Sequence, residues 1–255
     1  MNSSFTVIIP ARYASSRLPA KPLLDIGGKP MLQHVFERAQ QSAASKVIIA
    51  TDHEQIYSVA EAFGAQVCMT KEAHVSGTDR LQEVIAKTAM ADDEVIVNVQ
   101  GDEPLIPPAV INQVAELLVD KHCQMATLYE SLTELSQLFD PNVVKLVSNS
   151  NQEAMTFSRA AIPWNRDKFP NKADASVLSD YKRHIGIYAY RANLLNQFVH
   201  WPVSPMESIE KLEQLRVIEN GIAIAVAKAC NAIPAGVDTM DDLLKVREII
   251  NSPSQ

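Results

Sequence analysis

Phe5-Thr6-Val7-Ile8-Ile9-Pro10-Ala11 is the first apolar run of the chain, and Ala11-Arg12-Tyr13-Ala14-Ser15-Ser16-Arg17-Leu18-Pro19-Ala20-Lys21 follows it. The run reads as a buried strand ending at Pro10. Outward from it, residues 30–42 have helical spacing, with Met31, Val35 and Ala39 on one stripe. Strands are expected over 46–50 (KVIIA), 66–69 and 95–99 (VIVNV), and a short one over 125–128. Helices are expected between them, over 54–63, 79–89 and 110–121. Strand–helix alternation of this kind specifies an α/β fold, a mostly parallel sheet with helices on both faces.

The second half is less regular. Residues 143–147, 154–158, 184–190 and 222–227 read as strands, some alternating as half-exposed strands do. Residues 162–179, rich in Pro, Asn, Asp and Lys, read as a long loop. Helices are expected over 208–220, ended by Gly221, and over 241–250 after an Asp-Thr start. With no internal repeat and no long linker, residues 1–255 are expected to form one domain with an arm inserted within about 130–205.

The composition bounds the chemistry. At 255 residues, 47% hydrophobic and 21% charged, the chain can bury a sizeable core and is not a disordered or fibrous protein. A net charge of −7 argues against a general nucleic-acid or anionic-membrane binder, so an anionic ligand needs a local basic patch. Cys68, Cys123 and Cys230 are far apart and odd in number, as reduced thiols are. The Met1-Asn2-Ser3-Ser4 start leads to the expectation of no signal peptide, no uninterrupted apolar run is long enough to span a bilayer, and a cytoplasmic location is expected.

Ligands of an open parallel sheet bind beyond the carboxyl ends of its strands. The loop after the first run carries Arg12, Arg17 and Lys21, and no acid precedes Asp25. Three cations without a counter-acid suit a phosphate chain, since Arg forks phosphate oxygens and Lys supplies a mobile charge; the alternative is a solvated basic loop. No G-x-G-x-x-G follows the strand, which disfavours a dinucleotide oxidoreductase. Gly27-Gly28-Lys29 lacks the rest of a P-loop and reads as a turn before a helix that Pro30 opens. Val99-Gln100-Gly101-Asp102-Glu103-Pro104 ends the fourth strand, its glycine allowing a sharp reversal. An acid facing a triphosphate is favourable only with a divalent cation between them, so Asp102 is a candidate Mg²⁺ ligand. A second strand-end acid, Asp238, lies in Gly236-Val237-Asp238-Thr239. Each acid could instead cap the helix that follows it.

The segments FTVIIPARYASSRLPAKPLLDIGGKPML, ATDHEQI, SGTDRL, VNVQGDEPLI, FSRAAIPW, RHIGIYAYR, LEQLRV and GVDT resemble those of the 3-deoxy-manno-octulosonate (Kdo) cytidylyltransferases, the CMP-Kdo synthetases. The likeness runs from about Phe5 to the last helix. The resemblance implies a Rossmann-like nucleotidyltransferase fold with a small dimerisation arm, and a homodimer. It also implies a Mg²⁺-dependent reaction of CTP with an eight-carbon sugar acid, giving the CMP-sugar and pyrophosphate for lipopolysaccharide biosynthesis. It puts Ala11, Arg12, Arg17 and Lys21 around CTP, and Ser76, Gly77, Arg80 and Gln100 near the cytidine and the sugar side. Asp102 and Asp238 become the metal ligands, and Arg12, Lys21 and Asp102 the catalytic residues. Gln100, Arg159, His184, Tyr188, Glu213 and Gln214 fall on the sugar side, where Arg159 would meet the carboxylate.

The chain departs from the family pattern in three places. Val217-Ile218-Glu219-Asn220-Gly221 replaces a frequent aromatic pair, Tyr129-Glu130-Ser131-Leu132 replaces an apolar-Pro-apolar stretch, and Asn165 replaces an Asp. These leave the sugar open between Kdo and its 8-amino-8-deoxy analogue. The competing functions are a sialic acid cytidylyltransferase and a non-catalytic nucleotide-binding protein of the same fold. No side-chain general base is identifiable from the sequence.

Overall fold

Strand β1 (Phe5–Ala11) is buried on both faces: Val7 and Ile9 enter one apolar cluster and Ile8 the other. Burial on both sides is why the run shows no polar alternation. The computed structural model describes residues 4–14, 18–74, 76–169 and 174–252. After β1 come β2 (Asp25–Ile26), β3 (Lys29–Pro30), α1 (Met31–Gln40), β4 (Lys46–Thr51), α2 (Glu54–Ala62), β5 (Gln66–Met69), α3 (Gly77–Thr88), β6 (Val95–Asn98) and α4 (Pro108–Asp120). The second half adds β7 (Met125–Ser131), α5 (Leu135–Phe139), β8 (Lys145–Ser148), β9 (Ala154–Ser158), β10 (Lys182–Arg191), α6 (Ala192–Phe198), α7 (Pro205–Glu210), α8 (Gln214–Glu219), β11 (Ile224–Lys228) and α9 (Met240–Asn251).

The main sheet has the order β11-β7-β10-β6-β1-β4-β5, with β8 and β9 extending from β10. β1 pairs in parallel with β4 and β6, β4 with β5, and β7 with β11. β10 runs antiparallel between β6 and β7. The sheet is therefore mostly parallel, as the sequence indicates. Helices α1, α2 and α4 cover one face, and α3, α6 and α8 the other. A smaller cluster joins Leu18, Ile26 and Met31 to Val237 and to Leu243 and Val246 of α9. Another, containing Leu132, Leu138, Phe169, Val177, Leu178 and Tyr181, forms the core of the region around β8 and β9.

Local chemistry accounts for the departures from the expected elements. β1 continues through Pro10 to Ala11, which pairs with Thr51. Pro10 aims toward β6, but β6 has ended at Asn98 opposite Ile8, so the missing N–H costs no ladder bond. Gly27 and Gly28, at φ 59° and 85°, turn β2 into β3, and Pro30 stands one residue ahead of α1 rather than within it. Helix α6 was not foreseen, and the single helix expected over 208–220 is two. Lys211 ends α7 in the left-handed region at φ 55°, its N–H donating to the Glu207 carbonyl at 2.7 Å. Arg216 of α8 then folds back on Glu207 of α7: Nε donates to Oε2 at 2.6 Å and Nη2 to Oε1 at 2.5 Å. Both side chains are only 8% exposed, so this bidentate pair holds the kink.

Removing one partner of a buried pair leaves the other charge uncompensated. Glu207→Ala is expected to lower unfolding stability by about 3 kcal/mol, as read from denaturant midpoints at constant slope. A loss below about 1 kcal/mol would show that the kink does not depend on this pair.

Candidate active site

The first turn after β1, the loop after β6 and the loop before α9 meet at the carboxyl edge of the parallel strands. Lys21 joins them. Its Nζ donates to Asp102 Oδ2 at 2.6 Å, to the Val237 carbonyl at 2.8 Å and to Asp238 Oδ1 at 3.1 Å. The Val237 N–H donates in turn to the Asp102 carbonyl at 2.8 Å. Neither acid serves as the cap it could have been: α4 is preceded by Pro107, and α9 is capped by Thr239 with Asp242.

Gly101 permits this convergence through its small size. A Cβ built there would lie 2.8 Å from the Pro10 carbonyl oxygen, so any side chain would push the loop off the end of β1. Its φ is not positive, so close approach rather than a sharp reversal requires the glycine. The neighbouring Glu103 carboxyl is buried, and its Oε2 has no hydrogen-bond partner among the described residues. Burial first, then the Asp102 charge, pushes its pKa up to about 8, so at neutral pH it adds little negative charge beside Asp102.

These loops form one end of a cavity of about 1020 Å³, at the upper end for ligand pockets and roomy enough for a nucleotide and an acceptor together. Ala11, Arg12, Lys21, Gln100, Asp102 and Asp238 line that end, and the Arg12 guanidinium has no hydrogen bond or ion pair among the described residues. Arg17 lies outside the described residues. Gly77 and Thr78 at the start of α3 line the wall, whereas Ser76 does not. The Ser76 hydroxyl caps α3, accepting from the Asp79 N–H at 3.1 Å. Arg80 also lines the cavity but is held from behind: Nη2 donates to Asp52 Oδ2 at 2.6 Å, and Nη1 to the Thr70 hydroxyl.

The opposite wall comes from β10 and the kink between α7 and α8. Because β10 is antiparallel, its early residues run past the end of β6 and bring His184, Gly186 and Tyr188 to the same edge. His184 is half-buried, within 3.2 Å of the Thr127 hydroxyl and edge-on to Phe157. Burial, with a smaller contribution from the Arg183 charge, lowers its pKa to about 3, so the ring is neutral at physiological pH. Glu213 receives a hydrogen bond from the Thr78 hydroxyl at 2.7 Å. Burial raises its pKa, as do the Asp79 and Glu207 charges, and no cationic nitrogen among the described residues is in ion-pair range of it. Gln214 also lines the cavity, its Nε2 buried without a partner among the described residues.

Arg159 is not among the lining residues. Its Nε donates to the Glu210 carbonyl at 2.7 Å and its Nη1 to the Pro141 carbonyl at 2.8 Å. Conversely, Asn98, Thr78, Tyr190 and Lys211 line the cavity without having been singled out in the sequence. A polar residue closing the apolar strand VIVN was a usable signal for Asn98, and SGTDRL already contained Thr78. Lys211 had none, because its position depends on the unforeseen kink. Among the described residues, no group of three or more His, Cys, Asp or Glu side chains could hold a metal ion. Asp102 and Asp238 form a two-carboxylate set whose oxygens already converge on one cationic group, the Lys21 ammonium. Hard oxygens in that number fit a Mg²⁺ ion that completes its shell with substrate phosphates and water.

Residues 6–224 match the family model described as cytidylyltransferase. A 3-deoxy-manno-octulosonate cytidylyltransferase of Cellvibrio japonicus is 58% identical over 251 residues, covering 97% of this chain and 98% of its own. One of Saccharophagus degradans is 56% identical over 253 residues, with coverages of 98% and 99%. Among solved structures, a CMP:2-keto-3-deoxy-manno-octonic acid synthetase complexed with CTP superposes with a TM-score of 0.88 at 42% identity, covering 97% of this chain and 98% of its own. A cytidylyltransferase from Leptospira borgpetersenii, at 16% identity and a TM-score of 0.64 over 99% and 89% of the two chains, shares the fold. With the motifs spread along the whole chain and the fold in common, the chain belongs to the cytidylyltransferases, in the 3-deoxy-manno-octulosonate family.

Proposed function

We propose that the protein transfers CMP from CTP to the anomeric hydroxyl of a Kdo-type sugar acid and releases pyrophosphate, a step serving lipopolysaccharide biosynthesis. The observation that carries this reading is one cavity with a cationic and acidic end at Arg12, Lys21, Asp102 and Asp238 and a polar wall at His184, Tyr188, Glu213 and Gln214. The sugar hydroxyl gives up its proton to solvent and attacks the α-phosphorus, the bond to the bridging oxygen of the β-phosphate breaks, and pyrophosphate leaves with that electron pair. Arg12 and Lys21 neutralise the phosphate charge that grows as the bond breaks. The cavity walls hold nucleotide and sugar in line, which replaces a bimolecular encounter with a positioned one. Asp102 and Asp238 would hold Mg²⁺, whose chemistry here is to polarise the α-phosphate.

Glu213 supports a second, finer reading of the substrate. A half-buried carboxyl with no cationic partner among the described residues suits an ammonium group, as the 8-amino-8-deoxy analogue of Kdo would present. In Kdo itself the same carboxyl would accept a hydroxyl. Phe139, Met155 and Trp164 remain 45%, 59% and 59% exposed in the region around β8 and β9, an apolar surface that supports the expected homodimer. A cytoplasmic location follows from the reaction class, and no helix of the described residues is long and apolar enough to cross a membrane.

The direct test is pyrophosphate release with CTP and Mg²⁺ across Kdo, its 8-amino analogue and sialic acid. Turnover is expected with one or both Kdo-type sugars and not with sialic acid; no release with any of them overturns the assignment. Lys21→Ala is expected to lower kcat by about 10²–10³, the usual cost of losing one preorganised charge stabiliser. Asp102→Asn is expected to abolish turnover with the melting temperature little changed, since that carboxylate is partly exposed. Near-normal rates in both variants would remove this end of the cavity from the chemistry.

Glu213→Gln is expected to raise the KM for the sugar and leave that for CTP unchanged, by about tenfold for a hydroxyl partner and more for an ammonium. A rise confined to CTP would place Glu213 on the nucleotide side.

A further inference from the structure

Four cations among the described residues line the cavity: Arg12, Lys21, Arg80 and Lys211. Two are already engaged by carboxylates, Lys21 by Asp102 and Asp238 and Arg80 by Asp52. Arg12 and Lys211 have head groups with no hydrogen bond or ion pair among the described residues. They come from different sides of the cavity. Arg12 follows β1 at the phosphate end. Lys211 stands at the kink between α7 and α8, immediately before the lining residues Leu212, Glu213 and Gln214.

A sugar acid and CTP together present two kinds of anion, a triphosphate and a carboxylate. Arg159, the cation expected to meet the carboxylate, has its Nε and Nη1 committed to the Glu210 and Pro141 carbonyls and does not line the cavity. The Arg159 N–H also donates to Glu210 Oε2 at 3.0 Å, so two bonds fix the residue to the end of α7 and a third to the loop at Pro141. The next residue along the chain is Lys211.

The backbone of Lys211 adds an independent observation. At φ 55° and ψ 46° it occupies the left-handed region, where a residue with a side chain is disfavoured relative to glycine. Glycine would close the same turn without that strain, yet a long cationic side chain stands there on the rim of the cavity.

We propose that Lys211 is a substrate-binding residue that pairs with the carboxylate of the sugar acid, the role the sequence pattern suggests for Arg159. This rests on the sugar-acid reading above. The Lys211 ammonium donates to the carboxylate from the kink, while Glu213 and Gln214, two and three residues on, meet the neutral or cationic groups of the same sugar. Acid recognition and the remaining sugar contacts then belong to one short segment, positioned by the Glu207–Arg216 pair.

The test uses three variants of the full chain, with steady-state constants for each substrate varied separately. Lys211→Gln removes the charge and keeps most of the stem. Lys211→Gly removes the side chain and relaxes the turn. Lys211→Arg keeps a cation. In Gln and Gly the KM for the sugar acid is expected to rise about 10- to 100-fold, the range for losing one charge-assisted hydrogen bond, with the KM for CTP unchanged and the melting temperature maintained or raised in Gly. Arg is expected to restore most of the affinity. The carboxamide of the sugar acid serves as a competitive probe: the wild type is expected to prefer the acid, and Lys211→Gln to bind acid and amide about equally. An unchanged sugar KM in Gly, or an acid preference retained in Gln, overturns the proposal. A parallel Arg159→Gln variant that alone abolishes the acid preference also overturns it. If the wild type itself fails to use any sugar acid, it is the functional reading, and not the role of Lys211 within it, that fails.

Discussion

A single ammonium group sets the arrangement of the phosphate end. Asp102 and Asp238 lie far apart in sequence and belong to loops that would repel each other if brought together alone. Lys21 removes that repulsion by donating to both and to the Val237 carbonyl. The first loop, the loop after β6 and the segment before α9 are thereby held at one sheet edge. The apolar cluster of Leu18, Ile26, Met31, Val237, Leu243 and Val246 beneath them supplies the burial that charge pairing at a partly exposed site does not. Gly101 and Glu103 complete the arrangement, one by letting the loop touch β1 and the other by staying largely protonated.

The sheet was legible because its strands are chemically simple. Runs such as FTVIIPA and VIVN are buried on both faces, so apolar composition alone marks them. Spacing likewise identified α1 to α4 within a few residues, because each turns one apolar stripe toward the sheet. The kink between α7 and α8 was not legible: LEQLRV and its flanks keep helical periodicity through it. What breaks the helix is Lys211 in the left-handed region together with a pair between Glu207 and Arg216, a tertiary arrangement with no local signature. Helix α6 was missed for a related reason, since seven residues are too few for a periodic pattern to stand out.

The site divides in the same way. Its phosphate end could be read from charge counts and strand ends, because acids and bases placed after strands have few other uses. The sugar side depends on which face of β10 turns inward and on where α7 stops. The bulge between Ile185 and Tyr188 sets the first. Thr127 stabilises it, its hydroxyl donating to the Ile187 carbonyl at 2.7 Å and lying 3.2 Å from His184 Nε2. His184 and Tyr188 thus reached the cavity through a resemblance between sequences, whereas the physical reason for their position is visible only in the paired strands.

The two ends of the cavity also differ in how charge is held, and this bears on the order of recognition. At the end formed by the loops after β1 and β6, Asp102 and Asp238 share the one Lys21 ammonium, and the Arg12 guanidinium, unengaged among the described residues, brings the surface close to balance. On the opposite wall the polar groups are neutral or uncompensated: a neutral His184, a Gln214 Nε2 without a partner among the described residues, and Glu213 with its pKa raised by burial. Unpartnered polar groups in a low-dielectric wall discriminate strongly, because an ill-matched ligand leaves them desolvated and unpaired. Balanced ionic surfaces discriminate less, since phosphate oxygens are interchangeable acceptors. On the proposed function, selectivity for one sugar acid over another would therefore reside in the wall built by β10 and the α7–α8 kink, while the opposite end would supply the chemistry that any nucleoside triphosphate needs.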